Sequence, residues 1–160
     1  MNSTHKDNQK GFTIIEVVLV LAIAGLIFLM VFIALPALQR SQRDTQRRDD
    51  VSRFISQLSS YATNNRGAIP AATATAIASG SNSFAEQYLK RSDGEFQDPQ
   101  SGENYTFSYG ASGTATTSQM VYGGPNTECN GENVVTGGGQ RSTAVKVQLE
   151  GSGSFCQDNQ

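Results

Sequence analysis

The sequence predicts an α+β chain: one long N-terminal helix whose second half packs on a small antiparallel β-sheet of three to four strands. Three observations predict it. An unbroken apolar run fills residues 17–35, an apolar stripe of helical period follows at 51–62, and short segments of period two appear after residue 104. The 160 residues suit one domain with an extension. Charge divides them into two unlike parts. Residues 1–66 carry eight basic and five acidic side chains, and residues 67–160 carry four and nine. Fourteen of the 16 glycines also fall after residue 66.

Composition removes several function classes. The only histidine is His5, in a polar N-terminal tail, so neither a Ser-His-Asp triad nor a His-rich zinc site is expected. Two cysteines cannot build a four-Cys zinc site or an iron–sulfur cluster. No basic tract extends beyond one short helix face, so no specific nucleic-acid site is evident. No spacing of Ser, Thr, Asp or Glu suggests catalysis, and neither an enzyme activity nor a cofactor is expected.

The first element is the apolar run Val17–Leu35, 19 residues without a charged side chain. At ~1.5 Å per residue it spans roughly 28 Å, the thickness of a bilayer hydrocarbon core. A buried helix would need a larger protein around it. A secretory signal peptide would have a shorter apolar region and then a cleavage site of small residues. Glu16 stands at the N-terminal edge of the run. It is either a carboxylate solvated at the interface or an intramembrane charge with a partner to be found. Pro36 follows the run; inside a helix it removes a hydrogen bond and crowds the preceding turn, so a kink or a melted turn is expected there.

The segment Lys10-Gly11-Phe12-Thr13-Ile14-Ile15-Glu16, followed at once by the apolar run, resembles the processing site of type IV pilins and pseudopilins. The resemblance covers residues 6–35. It implies that residues 1–11 are a leader removed by a prepilin peptidase, with cleavage between Gly11 and Phe12 and N-methylation of Phe12. It implies assembly roles for Phe12 and Glu16, a transmembrane or fibre-core segment at about 14–35, and polymerisation with identical subunits through a pilus assembly machinery. Such a subunit sits as a single-pass protein in the cytoplasmic membrane and then in an extracellular filament used in adhesion, twitching motility or DNA uptake. A pseudopilin of a type II secretion or competence system is the alternative, and a single-pass anchored binding domain that never polymerises is another. Two features depart from the family pattern. Pro36 comes about three residues later than the usual helix proline. Lys6 and Lys10 are outnumbered by Arg40, Arg43, Arg47, Arg48 and Arg53 beyond the span, which by charge alone favours the opposite orientation.

Residues 37–66 continue as helix, so that the whole element covers residues 12–66. Asp44–Arg48 and Asp49–Arg53 are spaced i,i+4 with the acid first, worth about 0.2–0.5 kcal/mol each, and this charge cluster is expected to be a solvated face, with contacts to neighbouring subunits as the alternative. Val51, Phe54, Ile55, Leu58 and Tyr61/Ala62 then form the stripe that packs on the sheet. Asn64-Asn65-Arg66-Gly67 has the composition of a helix stop.

The C-terminal region is residues 67–160. Residues 67–82 read as a loop, and Ser83–Arg91 as a short helix with Ser83 and Glu86 as a capping box and Phe84, Tyr88 and Leu89 buried. Tyr105–Tyr109, Gln119–Tyr122 and Ala144–Leu149 read as strands, and Val134–Thr136 as an edge strand. If this half lies outside the cytoplasm, as the resemblance implies, Cys129 and Cys156 pair as a disulfide; free thiols are the alternative. Asp93, Glu95, Asp98, Glu103, Glu128 and Glu132 lack the spacing of a calcium loop, so no metal is expected and they read as solvated loop acids. Asn104-Tyr105-Thr106 fits an N-glycosylation acceptor.

Overall fold

A computed structural model describes residues 11–160, which fall into two units, one through Gln39 and the other Arg40–Gln160. Residues 1–10 of the expected leader 1–11, including His5, Lys6 and Lys10, lie outside the described residues. Helix α1, Ile14–Asn64, contributes to both units. Among the described residues of the first unit it is the only element, and its apolar residues have nothing there to pack on: the 18-residue window of mean hydropathy 3.2 has no buried residue. The helix is long and apolar enough to cross a membrane. It runs unbroken through Pro36, so no turn is melted there.

In the second unit, α1 buries Val51, Phe54, Ile55 and Leu58, and Tyr61 packs at the margin of the same core. These positions share one face because 3.6 residues complete a turn. The helix ends where Arg66 and Gly67 take positive φ of 57° and 83°. The Gly67 N–H donates to Ala62 O at 2.6 Å, satisfying a carbonyl of the last turn.

Two short helices, α2 (Ala74–Ile77) and α3 (Phe84–Leu89), and a 3₁₀ turn at Arg91–Asp93 follow. The expected loop at 67–82 thus contains a helical turn, capped by Thr73 Oγ1 accepting from the Ala76 N–H at 3.3 Å. Ser83 stands at the cap position of α3, but its hydroxyl is buried without a partner. The expected capping box is not formed.

Four strands, β1 (Thr106–Tyr109), β2 (Gln119–Tyr122), β5 (Ala144–Gln148) and β6 (Ser154–Asp158), make one sheet in the order β1-β2-β5-β6. The sheet is mixed, not purely antiparallel. β1 and β2 are parallel, with Phe107 opposite Met120, whereas β5 is antiparallel to both neighbours. Strands of four residues are only ~13 Å long, so the nine-residue connection 110–118 suffices to carry the chain back beside β1. β3 (Thr127–Asn130) and β4 (Asn133–Thr136) form a separate hairpin through the two-residue loop Gly131-Glu132. The expected edge strand Val134–Thr136 therefore belongs to this second sheet. Cys129 on β3 and Cys156 on β6 are joined as a disulfide, with Cα atoms 5.9 Å apart.

Phe54 is central to the core. Its ring lies 5.0 Å from Phe84, 6.2 Å from Phe96, 5.7 Å from Phe107 and 5.8 Å from Tyr122, measured between centroids. Tilted aromatic pairs of this kind contribute roughly 0.5–1.5 kcal/mol each beyond their buried area. Phe84 and Leu89 are buried, and Tyr88 is partly buried beside them.

The charge cluster on α1 is not a solvated face. Arg47 is fully buried and spends its guanidinium on the domain: Nη2 reaches Asp98 at 2.7 Å, Nη1 reaches Glu150 at 2.7 Å, and Nε donates to Thr117 O at 3.1 Å. Arg43 Nε donates to the same Glu150 at 2.7 Å, and Asp44 accepts the Glu150 and Gly151 N–H groups at 2.8 and 2.9 Å. These bonds fasten the β5–β6 loop and the Asp98 turn to the helix. The arginines, Arg43 first, hold the Glu150 carboxyl down to about 2. The expected i,i+4 pairs do not form. Asp44 pairs with Arg47 at i,i+3, Arg53 pairs with Glu95 at 2.9 Å, and Arg48 lies over the Phe155 ring at 4.9 Å. Local spacing could not reveal partners 51 and 103 positions away. Asp98, 2% exposed, is accordingly no solvated loop acid. Asn104 of the glycosylation motif has its Oδ1 buried without a partner.

Candidate processing and assembly site

Gly11, Phe12, Thr13 and Glu16 lie together at the start of α1. Gly11 and Phe12 precede the helix outside any regular element; the Phe12 side chain is 90% exposed, and a Cβ added at Gly11 would meet nothing within 4 Å. Among the described residues nothing packs over the bond between these two residues.

Thr13 is the N-cap. Its Oγ1 accepts the Glu16 N–H at 3.4 Å, while Glu16 Oε2 accepts the Thr13 N–H at 2.9 Å and the Thr13 O–H at 2.8 Å. This is a reciprocal capping box, in which two first-turn donors find partners and a carboxylate sits at the positive end of the helix dipole. It has a consequence for Glu16. A carboxylate at the edge of an apolar run is costly when bare, and here it accepts two hydrogen bonds from its own chain. Phe12, Glu16, Val17, Val20 and Leu21 line an open, almost wholly apolar groove of about 330 Å³ on this part of the helix.

Thr13 was not singled out by sequence reasoning, although the signal was present. Thr-x-x-Glu directly before an apolar run is the capping-box pattern. The same pattern at Ser83-x-x-Glu86 does not close. The other predicted residues stand apart from this site along the chain. Pro36 is within the helix, and Cys129 and Cys156 are in the second unit. Among the described residues, no group of three or more His, Cys, Asp or Glu side chains is placed to hold a metal ion.

The family model described as the prokaryotic N-terminal methylation motif matches residues 6–32. This is the motif found at the N-terminus of prepilin-like proteins. That motif, with the long helix and the mixed sheet, is consistent with the type IV pilin and pseudopilin family. A prepilin-like leader implies processing by a prepilin peptidase and dealings with the pilus assembly machinery, and the apolar first part of α1 fits a membrane-anchored prepilin. Searches of curated proteins and of solved structures each return no match.

Proposed function

We propose that the protein is the precursor of a type IV pilin-like structural subunit, not an enzyme but the substrate of one. Prepilin peptidase cuts between Gly11 and Phe12, the Phe12 amine is methylated, and the processed chain leaves the membrane to polymerise into a surface filament. The reading taken furthest is a type IV pilus serving adhesion, twitching motility or DNA uptake.

One observation carries this reading. The exposed large apolar side chains of the described residues fall between Phe12 and Leu38, directly after the prepilin-like motif. Burying a side chain of this size is worth roughly 1.5–3 kcal/mol, so the segment requires a low-dielectric host. A bilayer and a bundle of identical helices are both such hosts, and a subunit that is cleaved and then extracted uses them in succession.

Cleavage supplies the second half of the mechanism. It creates an ammonium at Phe12, four positions before the capped Glu16 and five before the apolar run that starts at Val17. Removal of residues 1–11 leaves the Thr13 N–H and hydroxyl in place, so the cap survives processing. In the membrane Glu16 keeps its own-chain partners. In a fibre it also gains the ammonium of a neighbouring subunit, and a charge left unmatched there is penalised strongly. That penalty sets the axial register. A contact between different surfaces of identical subunits does not close, and it generates an open helical filament.

Glu16→Ala tests the proposal. Filaments scored by electron microscopy are expected to be lost or sharply reduced, while the protein still enters the membrane. Normal filaments from Glu16→Ala would remove the register role, and no filaments from the unsubstituted protein in its native envelope would favour an anchored domain. A pseudopilin would give only short fibres within the envelope.

A further inference from the structure

The C-terminal end of α1 and the loop before β5 border an open groove of about 440 Å³, lined by Ser59, Thr63, Arg66, Gly67, Arg141 and Asn159 among others. The groove brings Arg66, the last basic residue of the basic half, beside Arg141, one of only four basic residues against nine acidic ones in residues 67–160. Their placement is specific. A Cβ added at Gly67 would stand 3.0 Å from the Arg141 guanidinium carbon, so this side chain lies across the glycine. Gly67 also has φ +83°, a conformation that glycine adopts without strain. The residue at the helix stop is therefore suited to both the turn and the seating of Arg141.

The donors of this groove are unevenly spent. Ser59 and Thr63 give their hydroxyl protons to the Ile55 and Ser59 carbonyls. Asn159 accepts the Thr143 N–H through Oδ1 and donates through Nδ2 to Arg141 O. Arg66 and Arg141, by contrast, pair with no carboxylate among the described residues, whereas Arg43, Arg47 and Arg53 each do. Neither guanidinium donates a hydrogen bond among the described residues. Each presents a fork of five N–H groups, a geometry that matches carboxylate and phosphate oxygens. A cation near a helix C-terminus is favourable in itself, but that alone requires neither a groove nor two unused forks.

We propose that this groove is an oxyanion-binding site, in which Arg66 and Arg141 together hold a phosphate or carboxylate group of a soluble ligand. The site is independent of the processing segment and of the filament reading.

Inorganic phosphate and acetate are the probes, titrated into the full chain in zwitterionic detergent and followed by protein-observed NMR. Saturable shifts centred on Arg66, Gly67 and Arg141 are expected. Loss of a charge-assisted bidentate contact weakens binding by about 10-fold or more, and this is expected for Arg66→Gln and Arg141→Gln. Arg141→Lys, which keeps the charge and loses the fork, should fall between. Arg48→Gln, outside the groove, should bind as the unsubstituted protein does. Phosphate binding stronger than acetate binding identifies a tetrahedral ligand group, and the reverse identifies a planar one. Non-saturable shifts, or shifts equal in all the variants, overturn the proposal. So does a failure of both probes to bind while Arg141→Gln weakens self-association, which would assign the groove to a second copy of the chain. A variant that fails to give the native spectrum is replaced by Arg66→Lys, for which, as for Arg141→Lys, binding between that of the unsubstituted protein and that of the Gln variants is expected.

Discussion

Replacing Arg47 by methionine is expected to cost more stability than any other single charge removal in the second unit. Methionine fills most of the space of the aliphatic stem but leaves Asp98, 2% exposed, without its cation, and takes one of two arginines from Glu150. Breaking a buried ion pair by deleting one partner costs about 3–5 kcal/mol, because the remaining charge is uncompensated. For a domain of this size each kcal/mol moves the melting temperature by roughly 3–6 °C, so a fall of about 10–30 °C is expected. Differential scanning calorimetry of the full chain in detergent reads it. Arg53→Met is the control. Its pair with Glu95 is 36% and 46% exposed, and such a pair contributes about 0.2–1 kcal/mol. Adding Asp98→Asn to Arg47→Met should restore part of the loss by removing the stranded charge. An Arg47→Met effect no larger than that of Arg53→Met would refute the reasoning, and so would a double variant less stable than the single one.

The remaining predictions concern pH and the disulfide. Burial pushes the Asp50 carboxyl from 3.8 up to about 6, against the hydrogen bond it accepts from the Tyr105 hydroxyl at 2.8 Å and the attraction of Arg53, while Asp49 and Asp98 raise it further. A raised folded value means that this group's contribution is complete below 3.8 and is lost as pH rises through 6. Asp50→Asn should therefore be the more stable form at pH 7.5, by an amount on the order of 2–3 kcal/mol, with the advantage gone by pH 3.5; a difference constant with pH in urea titrations would contradict this. Glu150 runs the other way: held down to about 2, its contribution is present above 4.5 and is lost as pH falls toward 2, so Glu150→Gln should flatten the acid limb of the same stability profile. The disulfide closes a separation of 27 residues, for which chain entropy gives about 3.5 kcal/mol. Cys129→Ser with Cys156→Ser should lower the urea midpoint accordingly and free the β3–β4 hairpin to faster amide exchange than β2 and β5. Equal exchange in all four strands would count against it.

Much of the fold could be read from the sequence because its strongest signals are periodic. The stripe Val51, Phe54, Ile55 and Leu58 is dictated by helix geometry, and β2 and β5 alternate or run apolar. β3 (TECN) and β6 (SFCQD) were not legible. Both are polar and largely half-exposed, and neighbouring strands and the cystine, not side-chain pattern, hold them in place. Strand direction was invisible for a related reason: alternation marks a face of a sheet and says nothing about the neighbour's sense, so the parallel β1–β2 pair was missed. The charged turn of α1 was misread because helical neighbours are visible in sequence and tertiary partners are not. At the N-terminus the motif residues Gly11, Phe12 and Glu16 were legible as a string. What Glu16 does before it meets another subunit, closing a box with Thr13, required the coordinates.

The central claim is that the bond between Gly11 and Phe12 is cut and that the new amine enters the assembly. Intact mass and N-terminal sequence of the protein isolated from its native cell envelope test it most directly. The account predicts a chain that begins at Phe12 with a methylated amine and lacks residues 1–11. A chain in the mature envelope that still begins at Met1 would contradict it, and would leave the apolar part of α1 as a permanent anchor for the domain that follows.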